Sequence, residues 1–215
     1  MKLYTFYSDS HLELYENFFI KSFKENSMEK SFDLISLKVD QKSSTGDFNS
    51  DGFNSTMVDK VEIILQAIND NWGEPFMFCD CDIQFLRDFK QDILSYLDDK
   101  IDLYAQSDAG TICAGFLMVK ANKISKKFIE KIIKETPKFS NDQVCMNYYK
   151  NHIRYKLLPE DKYFTIASAN NAKVWNGEEN FQVPSGILVH HANYTIGISN
   201  KKKLMELVKK NVIHD

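Results

Sequence analysis

The segment Phe76-Met77-Phe78-Cys79-Asp80-Cys81-Asp82-Ile83 sets two carboxylates one residue apart at the carboxyl end of an apolar run. In extended backbone, residues i and i+2 point to the same side. Asp80 and Asp82 are therefore expected to converge, with Cys79 and Cys81 facing the other way. Two adjacent carboxylates repel unless a cation or a proton lies between them. A divalent ion with a preference for oxygen ligands, Mg²⁺ or Mn²⁺, is the natural occupant. Such an ion can bridge diphosphate oxygens and neutralise a leaving nucleotide. The competing account is a solvated turn with two surface acids; the buried strand in front of the pair favours the metal.

The elements that must carry these groups follow from periodicity. Leu3–Tyr7 and Asp33–Val39 read as strands, and Tyr15, Phe18, Phe19, Ser22 and Phe23 as a helix between them. Gln41–Ser55, rich in Ser, Gly, Asn and Asp, reads as a long loop of the kind that is usually functional. Met57, Val61, Ile64, Leu65 and Ile68 form the buried stripe of a helix. Pro75–Cys79 follows as a strand. A helix is expected around Phe89–Leu97, and strands at Ile101–Ala105 and Ile112–Val119. Ile124–Ile133 marks a helix closed by Pro137. Asn141 or Ser140 can cap another helix, carrying Val144, Cys145, Tyr148 and Tyr149. Short strands at Tyr155–Leu158 and Ile187–His191 precede a Lys-rich helix from about Asn200. Strands alternating with helices imply an α/β sandwich, its sheet largely parallel in the first half. Ligands of such sheets bind beyond the carboxyl ends of the strands.

This ordered set resembles the nucleotide-diphospho-sugar transferase families of GT-A glycosyltransferases. The likeness rests on the apolar strand ending in Asp80-Cys81-Asp82, followed by Arg87-Asp88. It rests also on Thr111-Ile112-Cys113-Ala114-Gly115-Phe116, which is similar to their Asn-x-Gly-Phe strand with Cys113-Ala114 in place of the usual polar pair. Asn141-Asp142-Gln143 is similar to their Asp-Gln segment. Val189-His190-His191-Ala192-Asn193-Tyr194, then Gly197 and Lys201, is similar to their late His-x-Asn, Gly and Lys segment. The resemblance runs over residues 1–210. It implies one GT-A (Rossmann-like) domain over residues 1–215, with a mixed central sheet flanked by helices. It implies metal-dependent transfer of a sugar from a nucleotide-diphosphate sugar, with UDP the expected nucleotide, to an acceptor hydroxyl on a glycan or other acceptor. Mn²⁺ or Mg²⁺ would be held by Asp80, Asp82 and His191, with His190 the fallback. Tyr7, Ser8 and Asp9 would meet the base and ribose, where the plainer account is ordinary strand-end residues. Lys60 would lie near the nucleotide, or else be a snorkelling surface lysine. Gly115, Asn193 and Gly197 would line the donor site, and Lys201 would bind the diphosphate while Lys202 and Lys203 stay at the surface. Asp108 would contact the donor sugar. Asp142 would be the general base if the enzyme inverts, and Gln143 would stabilise an oxocarbenium-like centre if it retains. The plainer role for Asn141 or Asp142 is a helix cap.

Composition bounds the alternatives. The chain has 215 residues, 43% hydrophobic and 27% charged, which excludes collagen-like, coiled-coil and wholly disordered classes. A net charge of −3 argues against a nucleic-acid-coating protein. No apolar run approaches the roughly 20 residues of a membrane span, and no signal peptide is visible, so a cytoplasmic setting is expected. Four cysteines without paired CxxC motifs read as reduced core thiols rather than a zinc site. No Gly-rich dinucleotide fingerprint or P-loop occurs. Two rival readings stand. A haloacid-dehalogenase-type phosphohydrolase also places Asp-x-Asp after a strand, but it usually has Thr or Val where Gln84 stands here. A non-catalytic module of transferase fold would bind a sugar nucleotide or a carbohydrate without turnover.

Overall fold

The computed structural model describes residues 1–48, 50–178 and 180–213, of Ile213 only the backbone. Asn49, inside the expected loop Gln41–Ser55, lies outside the described residues. The chain opens with β1 (Lys2–Tyr7), then a helical segment made of α1 (Leu12–Leu14), a wider π-helical stretch (Tyr15–Ile20) and α2 (Lys21–Glu25). β2 (Asp33–Lys38), α3 (Phe53–Asp70), β3 (Pro75–Asp80), β4 (Ile83–Phe85) and α4 (Lys90–Ser95) follow. Next come β5 (Leu103–Asp108), β6 (Thr111–Lys120), α5 (Lys123–Glu135), α6 (Asp142–Tyr148) and β7 (Tyr155–Leu157). The chain continues through β8 (Tyr163–Thr165), α7 (Ile166–Ala169), β9 (Val189–His191) and α8 (Ile198–Ile213).

The main sheet has the order β2-β1-β3-β6-β5-β7. β1 runs parallel to β2 and β3, as expected for the first half. β6 runs antiparallel to both β3 and β5, so the sheet is mixed. Alternation along the central strands fills two cores. Tyr4, Phe6, Phe76 and Phe78 face Val61, Ile64 and Ile68 of α3 and Phe128 and Ile132 of α5. Leu3, Met77, Cys79, Phe116 and Met118 face Phe19, Phe85 and Phe89 on the other side. A third cluster seats α8, through Leu204, Met205 and Val208, against Leu14, Phe164 and Trp175.

A second sheet, β4-β9-β8, is small and decisive. β4 pairs antiparallel with β9, matching Ile83 to His191 and Gln84 to His190. Neither β4 nor β8 is visible in the sequence, because three residues carry no usable period. Their side chains explain them: all six are buried. Gln84 Nε2 donates to the Met205 carbonyl and meets His190 Nδ1, both at 3.0 Å, tying the small sheet to α8. Expected boundaries shift at several elements, β9 beginning at Val189 and α4 spanning Lys90–Ser95 among them. α3 begins at Phe53, with Gly52 at φ +82° as its cap residue, so the preceding irregular stretch ends there. The expected strand Ile101–Ala105 starts instead at Leu103 and runs on to Asp108. All four cysteines are free and buried, as expected. No described helix is long and apolar enough to cross a membrane.

Asp102, just ahead of β5, is a tie-point for one flank of the sheet. Its buried carboxylate accepts from Arg154 Nε (2.6 Å) and Nη2 (2.8 Å) and from Asn122 Nδ2 (2.9 Å). Asn122 in turn caps α5, accepting from the Ile124 and Ser125 amides. Burial opposes the charge on Asp102, but the hydrogen bonds from Arg154 and Asn122 outweigh it and hold the carboxyl below its ordinary value. The carboxylate therefore stabilises the fold above the unfolded-chain pKa of about 4, and that share is lost as pH falls through the lower folded value. Asp102→Asn is expected to cost about 1–3 kcal/mol in urea unfolding at pH 7. The gap between variant and parent should narrow at pH 3; an equal gap at both values would refute this account.

Candidate active site

β3 ends at Asp80, and the chain turns at once. Cys81 and Asp82 form that turn, and β4 starts at Ile83. The two acids do converge, but through the turn rather than through an extended run from 79 to 82. Cys81 consequently lies on the cleft wall instead of facing away. Register supplies the third group. Because Ile83 pairs with His191, the end of β9 comes alongside Asp82, and His191 Nε2 lies 3.1 Å from Asp82 Oδ1. Alternation turns His190 to the opposite face, where it is fully buried against Gln84 and stacks on Phe164. Burial, with His191 adding to it, pushes His190 down to about 3, which suits a neutral core imidazole. One ligand atom each from Asp80, Asp82 and His191 fall within 4.8 Å of one another.

Gly115 on β6 makes room for this group. A Cβ placed there would stand 2.3 Å from His191 Cε1 and 2.6 Å from Asp80 Oδ2. Glycine is therefore needed for close approach, not for its backbone angles. Cys113, two residues earlier on the same face, has its Sγ 3.3 Å from His191 Nδ1.

Two lysines balance the acids. Lys60, on α3, is buried with Nζ 3.0 Å from Asp80 Oδ2 and 3.1 Å from Asp142 Oδ2. Burial works against its charge, but Asp142 and Asp80 outweigh this and raise it. Lys60 is thus inside the floor rather than snorkelling at the surface. Lys201, on α8, pairs with Asp82 Oδ2. Burial opposes the charge on Asp82 too, yet Lys201 and then His191 hold that carboxyl well below its ordinary range. Asp80 moves the other way. Burial raises it, Lys60 opposes, and Asp82 reinforces the rise. The neighbouring acids are pushed apart, a pattern that marks functional sites.

A second group of polar side chains lies beside the first. β5 and β6 are joined by Ala109-Gly110, both at positive φ, the geometry of a tight hairpin turn. That turn leaves Asp108 at the strand end. Its carboxylate accepts from Gln143 Nε2 (2.8 Å) and Asn193 Nδ2 (2.5 Å). Gln143 Oε1 accepts from the Ala114 amide at 3.0 Å. Asn141 caps α6 by accepting from the Val144 amide, which leaves Asp142 free to meet Lys60.

Both groups border one cleft of about 350 Å³ at the carboxyl ends of β1 and β3. Tyr7, Ser8, Lys60, Asp80, Asp82, Asp108, Asp142, Gln143, His191, Asn193 and Lys201 all line it. Three expected residues are not among the lining: Asp9, Gly115 and Gly197. Asp9 is exposed and paired with Lys38 at 2.7 Å. Gly115 packs directly against His191 and Asp80. Gly197, half-buried at φ +88°, has its amide donating to Asp47 Oδ1 at 2.9 Å. Tyr7 stacks on Tyr15, with ring centroids 4.0 Å apart.

Sequence reasoning missed His11 and Asp47. His11 lines the cleft with Nδ1 2.9 Å from Ser10 Oγ. Burial and then Lys201 lower it to about 4, so it is neutral near pH 7. Only the proximity of the Ser8–His11 turn to a strand end could have flagged it.

The comparisons with known proteins agree with this geometry. The profile of the nucleotide-diphospho-sugar transferase family matches residues 21–205. The UDP-galactose:fucoside alpha-3-galactosyltransferase of Dictyostelium discoideum is 27% identical over 181 residues, 70% of this chain. The chain spans only 27% of that protein's length. A glycosyltransferase involved in the glycosylation of the major capsid of PBCV-1 superposes with a TM-score of 0.67 at 15% identity, covering 96% of this chain and 98% of the other. The glycosyltransferase GlyE of Streptococcus pneumoniae TIGR4 superposes with a TM-score of 0.54 at 14% identity, over 99% of this chain and 64% of the other. At such identities the structural likeness speaks for the fold, a GT-A fold with a mixed sheet between helices. With a profile match over most of its length and the acidic turn at the end of β3, the chain belongs to the nucleotide-diphospho-sugar transferase family.

Proposed function

We propose that this chain is a metal-dependent glycosyltransferase that moves a sugar from a nucleotide-diphosphate sugar to an acceptor hydroxyl. The observation that carries this reading is the convergence of Asp80, Asp82 and His191 on the cleft floor, beside Lys201 and next to the Asp108–Gln143–Asn193 group. Two carboxylates and an imidazole suit Mn²⁺ or Mg²⁺. Asp80 Oδ1 supports the fit, being buried without a hydrogen-bond partner, an acceptor that a cation would satisfy. When bound, the ion would supply charge neutralisation at the diphosphate.

The remaining work falls to the chain. Lys201 Nζ lies at the edge of the triad and is within reach of a diphosphate oxygen. Gln143 and Asn193, fixed on Asp108, present a polar wall to the sugar. Asn193 Oδ1 is buried without a partner and can accept from a sugar hydroxyl. Lys60 keeps Asp80 and Asp142 compatible in one buried floor. Because Asp142 is buried against Lys60, it is poorly placed to take a proton from an acceptor. Gln143 is the better candidate at the reacting centre, which favours retention. Phe48, Val144, Val174 and Ile196, exposed apolar side chains on the cleft wall, can cover the nonpolar faces of the base and sugar rings. UDP is the first nucleotide to test, and the UDP-galactose donor of the Dictyostelium relative supports it. The acceptor would be a glycan or another hydroxyl-bearing molecule. Four free buried thiols suit a reducing, cytoplasmic setting.

Thermal unfolding with UDP, GDP, CDP or ADP, each with and without Mn²⁺, tests the reading. UDP at 100 times its dissociation constant should add about 2.7 kcal/mol of stability, only with the metal. Asp82→Asn should lose that increment. No shift with any nucleotide would refute the donor assignment. A metal-dependent shift without sugar transfer would favour a non-catalytic binder.

Gly115→Ala probes the close packing of the triad. The added methyl must displace His191 or Asp80 and should cost about 1–3 kcal/mol of stability. It should also remove the Mn²⁺-dependent share of nucleotide binding, measured by calorimetry with and without the metal. Parent-like Mn²⁺ dependence in this variant would refute the account that close packing at Gly115 is needed for metal binding.

A further inference from the structure

We propose that Cys113 is a positioning residue. It would hold His191 in the orientation and tautomer that present Nε2 to the metal, and join that histidine to the sugar-side polar group. The proposal rests on the metal reading above.

The geometry is specific. Cys113 Sγ is 3.3 Å from His191 Nδ1, the ring nitrogen turned away from Asp82. The same sulfur is 3.7 Å from Asn193 Nδ2. Asn193 Nδ2 also donates to Asp108 Oδ1. An unbroken chain of contacts thus runs Lys201–Asp82–His191–Cys113–Asn193–Asp108–Gln143. Within it, Cys113 is the link between the metal side and the sugar side. Cys113 itself is fully buried. Its sulfur is therefore not a surface thiol awaiting a partner; the ring and the amide are its surroundings.

A ligating imidazole needs a partner on its other nitrogen to fix the ring and its proton. Such a partner is usually a carboxylate, a carbonyl or water. Here Nδ1 meets a thiol, a group that can both donate and accept. With Nε2 free as a ligand, Nδ1 carries the ring proton and donates it to Sγ. With Nε2–H donating to Asp82, Nδ1 accepts from S–H. As acceptor the thiol sets the tautomer that leaves Nε2 bare for the metal; as donor it keeps the ring in place while Nε2 meets Asp82. Gly115 completes the cradle by leaving out the side chain whose Cβ would stand 2.3 Å from His191 Cε1.

The test compares Cys113→Val, close in size but without a polar atom, with Cys113→Ser, which keeps a donor and acceptor. Mn²⁺ affinity is read by electron paramagnetic resonance of free Mn²⁺, without donor or acceptor. Cys113→Val should weaken Mn²⁺ about 10–100-fold, the range for loss of such a partner. Cys113→Ser should recover most of it. Parent-like Mn²⁺ affinity in Cys113→Val would overturn the proposal. A second readout needs no metal: the ¹⁵N shifts of the His191 ring, assigned with His191→Gln. They should move in Cys113→Val and stay near the parent's in Cys113→Ser; unchanged shifts in Cys113→Val would overturn the proposal. If the parent itself binds no Mn²⁺, the metal reading fails, and the ring shifts still decide whether Cys113 sets the tautomer.

Discussion

Like-charge repulsion on the cleft floor is the constraint around which this molecule is arranged. Asp80, Asp82 and Asp142 lie close together where water is largely excluded, and no fold keeps such acids ionised without cations. Lys60 serves Asp80 and Asp142 from α3, and Lys201 serves Asp82 from α8. A lysine is seldom buried, and here Lys60 is, while Lys201 is half-buried, each facing carboxylates. Removing one partner of such a set costs more than the pair gives, because the other charge is left stranded. The floor therefore constrains both helices, and the attitudes of α3 and α8 over the sheet follow from where their lysines must end.

The secondary elements are subordinate to that arrangement. β3 ends where its first acid is needed, and a two-residue turn delivers the second. The small sheet exists to carry β9 past that turn, in a register that sets His191 beside Asp82 and buries His190. β6 contributes an absence, the missing side chain of Gly115, and the hairpin before it sets Asp108 at the cleft edge. The wall facing the sheet is built from irregular backbone. Tyr194 at φ +47°, Gly197 at φ +88° and Gly46 at φ +76° occupy left-handed conformations there. Gly46 packs directly on Ser10 and His11. Asp47 reaches across to the Gly197 amide and fastens the long loop to the turn before α8. Unfavourable backbone gathered at a cleft and held by surrounding contacts is common where binding depends on a fixed shape.

The parts legible in the sequence were those with a strong local signature. Apolar runs of strand length located β1, β3 and β6, and helical stripes located α3 and α5. The acidic pair was readable because it followed a buried strand. The choice between His190 and His191 was open on the residues alone, since a strand shows one of two neighbours and the sequence does not say which. Register decided it, and register depends on β4, which is too short to read. Lys60 was legible as a helix residue beside an apolar stripe, but its burial required knowing that Asp80 and Asp142, 62 positions apart in the chain, meet above it. Asp9 and Gly197 show the converse limit. Proximity in sequence to a site residue brought neither to the cleft lining: a strand-end turn carries Asp9 out to Lys38, and Gly197 turns its amide to Asp47.

The departure of Cys113-Ala114 from the resembling families' polar pair looks, in the sequence, like a loss of sugar contacts. In the fold it is a redistribution. The Ala114 side chain has no polar atom, but its amide donates to Gln143 Oε1 and fixes that side chain on Asp108. Cys113 turns inward to His191 and Asn193 rather than toward open space. Backbone and sulfur thus take over positioning, and Gln143 and Asn193 are left to provide the polar surface. The same reasoning separates the two bridges across the floor. Lys60 joins Asp80 to Asp142 by charge, an attraction that tolerates small displacements. Cys113 joins His191 to Asn193 by short-range contact, which does not. The floor thus combines both kinds of link: a charge bridge between Asp80 and Asp142, and a contact bridge behind the His191 ring.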